Sequence, residues 1–358
     1  MNKGPETLII ITPGFPENEE DTACIPPQQI FVNALKEVNP KLNIVVLTLQ
    51  YPFFFGEYFW HGIKVISFGS KNRSRLFNWL TVIWAKHALK KIYTEHKVIG
   101  LLSFWFGKSA FIANNFAQKN KLPHYSWLLG QDAKAGNKYF GKIKPDGNSL
   151  IALSEFIARE VNKNYGIKPQ HVIPVGIDVS LFDNIDPERD IDILGAGSLI
   201  PLKQYPIFLD MIHRLKPFLP GIRAVICGDG PEIFNLELQA AALGIQDNVT
   251  FIGELPHKEV LALMQRSKIL LHTSEYEGFG AVCLEALYAG AHVISFVKPM
   301  DAAIKNWHIA ADEEEMFDIL KGKLQTTDLE HDAVLPYTIQ DNARKLMKLF
   351  AYNEAAIS

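Results

Sequence analysis

The chain has 358 residues, 48% of them hydrophobic and 21% charged, with a formal net charge of −3. That length exceeds one ordinary hydrophobic core and predicts two domains, and the composition excludes fibrous and intrinsically disordered classes. The charge is unevenly spread: residues 1–180 carry 21 Lys/Arg against 13 Asp/Glu, and the remainder 15 against 26, so the basic half is the one to meet an anionic partner.

In chain order, LIIIT (8–12), NIVVLTL (43–49), IKVISF (63–68), VIGLLSF (98–104), HYSWLL (124–129) and SLIALS (149–154) carry the β-branched, near-continuous apolar character of buried strands. Amphipathic stretches lie between several of them, QQIFVNALKEV and SRLFNWLTVIWAKHALKKIY among them. The polar run DVSLFDNIDPERD (178–190) is the linker candidate. After it the pattern restarts with DILGAG, RAVICGDGP, VTFIGELP, KILLHTS and HVISF, and TIQDNARKLMKLFAYNEA closes the chain as one helix. Strands alternating with helices predict an α/β protein made of two facing, Rossmann-like, doubly wound domains with a cleft between them. The expected divisions are residues 1–178, 179–335 and a C-terminal helix, 336–358, packing back on the first domain.

Three cysteines (Cys24, Cys227 and Cys283) show neither paired nor metal-type spacing and are expected to be reduced thiols. No signal peptide or transmembrane-length apolar run is visible, which predicts a cytoplasmic protein.

SEYEGFGAVCLEALYAG (274–290) holds the strongest chemical signal. Glu277 and Glu285 flank a Gly278-Phe279-Gly280 turn that follows a strand and opens an apolar helix. Unpaired amides at such a helix N-terminus suit phosphate or sugar oxygens. A spacing of eight, just over two helical turns, predicts that both carboxylates line one cleft. Two solvated surface carboxylates are the plainer alternative, but Glu285 stands in an otherwise apolar run and requires a partner if buried.

GAGSLIPLKQYPIFLD (195–210) leads from a strand through Gly197 and Ser198 to Lys203, a point charge placed to meet a diphosphate or simply water. VICGDGPE brings Gly228 to a second strand end, either as a structural turn or as a close approach to ligand. VTFIGELP brings Gly253 and Leu255 to a third, where the backbone can read a base. Asp190 and Asp192 have the spacing of metal-binding carboxylates, but they sit at the opposite end of their strand and are expected to be capping, solvated charges. No metal site is predicted.

Residues 71–97 combine Lys71, Arg73, Arg75, Lys86, Lys90, Lys91 and Lys97 with Leu76, Phe77, Trp79, Ile83 and Trp84, a pattern suited either to an anionic membrane or to a sheet-covering helix. YPFFFGEYFWHG (51–62) is expected to be an aromatic loop that holds an acceptor or fills a core.

In order, the GAGSL loop with its lysine, GDGPE, LGIQDNVTFIGELP and EGFGAVCLE make the second half similar to the donor domain of the GT-B retaining glycosyltransferases of family 4, glycosyl transferases group 1. ITPGFPENEE and IPVGIDVSLF extend the resemblance thinly into the first half. The resemblance implies a metal-independent, cofactor-free hexosyltransferase that moves sugar from a nucleotide diphosphate to a glycan or lipid-linked acceptor in polysaccharide or cell-envelope biosynthesis. It implies that Glu285 binds the ribose, that Glu277 and the amides of Gly278, Phe279 and Gly280 hold the donor sugar, and that Lys203 neutralises the departing diphosphate. Gly197, Ser198, Gly228, Gly253 and Leu255 would complete the donor shell, with Gly14, Gly130 and Asp132 on the acceptor side. The chain departs from the family pattern at Ser198, where arginine is usual, at Leu129, where histidine is, and at Val175, where asparagine is. A nucleotide-binding relative without turnover and a GT-B epimerase are the alternatives. No nucleic-acid partner is expected, and attachment to the inner membrane face would run through residues 71–97.

Overall fold

The computed structural model describes residues 4–22, 24–71, 75–183 and 187–352, with the side chains of residues 75, 76 and 78 outside that description. Arg73, part of the linker candidate (184–186) and the end of the closing segment (353–358) therefore fall outside it, as do the Arg75 and Leu76 side chains. The chain forms two compact units: Met1–Gly176 together with Ile339–Ser358, and Ile177–Thr338.

The first unit runs β1 (Gly4–Gly14), α1 (Pro26–Val38), β2 (Asn43–Tyr51), β3 (Gly56–Trp60), β4 (Ile63–Ser67), α2 (Arg75–Glu95), β5 (His96–Phe104), α3 (Lys108–Asn120), β6 (His124–Leu128), α4 (Lys138–Ile143), β7 (Leu150–Ala152), α5 (Glu155–Tyr165) and β8 (His171–Val172). Its sheet has the order β3-β4-β2-β1-β5-β6-β7-β8 and is parallel except for the β3–β4 pair. Leu8, Ile9, Ile10 and Ile11 are all fully buried, because a central parallel strand is covered on both faces. On one of those faces Ile9, Ile11, Val45, Leu47 and Ile66 pack on Ala85 and Leu89 of α2 and on Ile112 and Ala113 of α3. Helix boundaries follow local chemistry: Ser154 caps α5 by accepting the Ile157 amide, and Gly166 ends it in the left-handed region.

The aromatic run 51–62, expected to be a loop, contains the edge strand β3. Its residues alternate in exposure, but aromatics on both faces hide the two-residue period that marks a strand. Trp60 is buried with its ring 4.9 Å from that of Phe15.

The second unit runs β9 (Ile191–Ala196), α6 (Tyr205–Leu215), β10 (Ala224–Cys227), α7 (Ile233–Ala242), β11 (Val249–Gly253), α8 (His257–Gln265), β12 (Ser267–His272), α9 (Ala281–Tyr288), β13 (His292–Ser295), β14 (Trp307–Ile309) and α10 (Glu313–Leu324). The six strands are parallel in the order β11-β10-β9-β12-β13-β14. That order reverses direction between β9 and β12, so the loops leaving those two strands part and open a binding position at the carboxyl edge. Side chains of α6, α7 and α10 cover one face, while α8 and α9 pack on the other. Asp190 and Asp192 are ion-paired rather than merely solvated: Arg266 grips Asp190 at 2.6 and 2.9 Å, and Lys268 meets Asp192 at 2.7 Å.

The chain then returns to the first unit as α11 (Ile339–Leu349), which packs against α1. Asn342 Nδ2 donates to the Pro174 carbonyl at 2.9 Å, and the Tyr125 hydroxyl donates to that of Leu349 at 2.9 Å. The expected class, α/β with two doubly wound parallel-sheet domains, is the observed one.

Candidate active site

Three loops leave the carboxyl ends of β9, β10 and β11 and are zipped together by their backbones. Gly197 N donates to Cys227 O at 3.0 Å, Leu199 N to Asp229 O at 2.9 Å, and Gly228 N to Gly253 O at 2.8 Å. Glycine is required at 228 because φ is 143° and a Cβ there would lie 2.0 Å from the Gly197 carbonyl oxygen. The closeness of the loops thus explains this glycine without a ligand. The expected base-reading backbone at Leu255 is partly committed, since its amide bonds to Cys227. Ser198 is exposed at the tip of the first loop.

Lys203 ends a short 3-10 turn, Pro201–Lys203, anchored where the Thr273 hydroxyl donates to the Lys203 carbonyl at 2.7 Å. From there its ammonium reaches Glu277 Oε2 at 2.5 Å. The same carboxylate oxygen lies 3.3 Å from Nε2 of His272, the buried last residue of β12. Burial pushes the Glu277 carboxyl up, but the His272 hydrogen bond and the Lys203 charge outweigh it and hold the pKa down at about 2. His272 is pushed below the usual histidine range, first by burial and then by Lys203, so it serves Glu277 as a neutral donor. Lys203 and Glu277 side chains keep 20% and 22% of their surface exposed, so the pair is screened from bulk water yet reachable.

Glu277 lies ahead of α9 rather than on it, so helical phase does not relate it to Glu285. Instead the chain turns through Gly278, Phe279 and Gly280, with Gly280 at φ 82° as the helix N-cap. Phe279 is buried, its ring edge-on to Trp307 and Tyr337, so only its amide is available to a ligand. Among the described residues no hydrogen bond consumes the amides of Phe279 and Gly280. They form a small positive nest beside the carboxylate. Glu285 stands on α9 with Oε1 2.9 Å from His257 Nε2 at the start of α8. Burial lowers the His257 pKa, but the Glu285 bond and charge overcome it and leave it raised.

On the first unit, Asp132 fastens loops together. Its carboxylate accepts the amides of Phe106 at 2.7 Å, Gly130 at 2.9 Å and Leu129 at 3.2 Å. What it offers an acceptor is therefore a fixed loop rather than a free carboxylate. Gly14 ends β1, its carbonyl held by the Thr12 hydroxyl at 2.8 Å.

The glycine turn at 278–280, the two carboxylates and the zipped glycine loops all fall within one segment that can be compared with known proteins. Residues 178–308 match the sequence model of the family described as "Glycosyl transferases group 1". The second unit belongs to this family. In this glycosyltransferase domain, as in the whole chain, similarity to relatives is partial. The gpi3 subunit of phosphatidylinositol N-acetylglucosaminyltransferase from Schizosaccharomyces pombe is 38% identical over 204 residues, 55% of this chain and 44% of that protein. The chain spans less than half the length of the curated relatives it matches first. A solved glycosyltransferase from Rickettsia africae superposes with a TM-score of 0.71 at 15% identity, covering 98% of both chains. Anabaena HepE in complex with UDP and glucose gives 0.65 at 16% identity, over 95% of this chain and 94% of that one. These are likenesses of fold, and the fold, with its two parallel-sheet domains, is GT-B.

Two residues of the glycosyltransferase domain were missed from sequence, His272 and His257. Each sits at an element end next to a carboxylate distant by 5 or 28 positions. The only sequence signal was a histidine closing the apolar run KILLH, which by itself looks like a core residue.

Proposed function

We propose that this chain is a retaining glycosyltransferase that moves a sugar from a nucleotide diphosphate to a glycan or lipid-linked acceptor in polysaccharide or cell-envelope biosynthesis. The observation that carries this reading is the His272–Glu277–Lys203 cluster beside the amides of Phe279 and Gly280, which no hydrogen bond consumes among the described residues. An ionised carboxylate at that position accepts sugar hydroxyls. The ammonium of Lys203, with the helix N-terminus, stabilises the charge that develops on a leaving diphosphate. Those positive groups do the work a metal ion does in other sugar transferases, so the reaction is read as metal-independent and turnover should survive chelator. Glu285 takes the ribose hydroxyls through the oxygen that His257 leaves open. Retention follows from departure of the phosphate on the face that the acceptor attacks.

A lipid-linked acceptor is favoured by the similarity to a protein named for phosphatidylinositol and by the surface of the first unit. On α2, Trp79 and Ile83 are exposed alongside Lys86, Lys90 and Lys91, which suits peripheral binding to an anionic membrane from the cytoplasmic side. Among the described residues no helix is long and apolar enough to cross a membrane.

The test is a calorimetric titration with nucleoside diphosphates joined to a donor-hydrolysis assay. Glu285→Ala should weaken nucleotide binding by roughly tenfold or more. Wild-type affinity in that variant, or turnover abolished by chelator and restored by a divalent ion, would overturn the reading.

A further inference from the structure

The first unit holds a cavity of about 390 Å³ between the β3–β4–β2 part of the sheet and α2. Its volume is that of a small-molecule site. The floor and wall are apolar: Val45, Ile66, Phe68, Trp84, Ala88 and Ile92. Phe55 closes one end, its ring 5.9 Å from Phe68 and 5.2 Å from Trp84. Phe55 and Phe59 are 62% and 70% exposed although both line this space, so the cavity leaves aromatic surface in water.

The opposite end is ionic. Lys64 pairs with Glu57 at 2.7 Å, and Lys91 and Glu95 stand at the same rim. Between the two ends Lys64, Ile66 and Phe68 lie on one strand face and span roughly 13 Å. Cations and anions balance at the rim, so it suits a head group with both donors and acceptors better than a bare anion. A peptide would find backbone partners only at that end and would leave its other amides unpaired. A long chain with a polar head satisfies both ends. Beside the apolar end, Phe53 and Phe54 are 53% and 43% exposed on the same loop, so further aromatic surface flanks the end that Phe55 closes.

We infer that this cavity binds the alkyl chain of one membrane lipid, with its polar head at the Lys64–Glu57 end. This site is independent of the donor-site reading. The test titrates a fluorescent polyene fatty acid into the full-length protein, with monomeric lysophosphatidylcholine as competitor. Binding should saturate, be displaced by the lysolipid, and draw energy from Trp84. Trp84→Phe should remove much of that transfer. Ala88→Trp, which fills the cavity, should weaken binding about tenfold or more. Saturable binding that ignores both substitutions would place the chain elsewhere and overturn the inference, as would the absence of saturable binding. If Ala88→Trp does not fold, the Trp84→Phe measurement decides. Nucleotide titration of the same samples separates this outcome from the donor site: intact nucleotide binding with no lipid binding sinks only the cavity.

Discussion

Glu277 is shared between a lysine and a neutral histidine, and each partner has a separable effect. Lys203→Met removes the cation, leaving a half-buried carboxylate with only neutral donors, His272 and the Gly278 amide. We expect kcat to fall by about 100-fold or more, with a smaller change in KM, if the lysine acts mainly on the leaving group. Unchanged steady-state kinetics would remove Lys203 from the chemistry. The lowered Glu277 pKa also predicts a stability profile. Its folded value, about 2, lies below the ordinary 4.5, so its contribution is complete above 4.5 and lost as pH falls toward 2. His257 has the opposite sign. Its pKa is raised above 6.5, so the Glu285 pairing stabilises fully below that value and is lost as pH rises through the folded one. Denaturant unfolding of His257→Gln should therefore show its deficit below pH 6.5 and converge on wild type at alkaline pH. A deficit that does not change with pH would show that the pair is not ionic. Neither histidine was legible as a site residue, because sequence spacing carries no information about which side chains two loops bring together.

At the element scale, most strands were legible as near-continuous apolar runs, and the carboxyl-edge glycines as turns. Their reason was not. Gly228 is fixed by the carbonyl of Gly197, whereas a Cβ on Gly253 would meet nothing within 4 Å. Gly228→Ala should therefore cost on the order of 1–3 kcal/mol and weaken nucleotide binding, because it pushes the first loop away from the second. Gly253→Ala, with only its φ of 75° to strain it, should cost less. Thermal unfolding and nucleotide titration of the two variants check the order, and equal losses would refute the loop-contact account. Strand β3 escaped detection because Tyr58, Phe59 and Trp60 put aromatics on both faces of an edge strand. The spacing of Glu277 and Glu285 was counted in helical turns, yet the first precedes the helix.

For the whole molecule, the C-terminal return decides the composition of the first unit. Ile339, Ala343 and Leu346 of α11 are fully buried, and Phe350 lies so close over Gly100 that a Cβ there would meet its ring at 2.5 Å. Ending the chain after Thr338 would uncover these contacts and the facing surface of α1. Burial of each large apolar side chain is worth about 1.5–3 kcal/mol, so the truncated protein should lose most of the stability of its first unit. A melting temperature within a few degrees of the full-length value would show that the helix is dispensable.

The sequence by itself determined the α/β class, two largely parallel sheets, and a strand–glycine turn–helix segment flanked by two carboxylates, because apolar periodicity, glycine punctuation and motif order are local properties of the chain. Only the tertiary structure decided what those carboxylates touch. Lys203 and His272 close on Glu277, and His257 on Glu285, because a doubly wound sheet brings the ends of β9, β11 and β12 to one edge. Side chains separated by up to 74 positions meet there, and no one-dimensional pattern records that meeting.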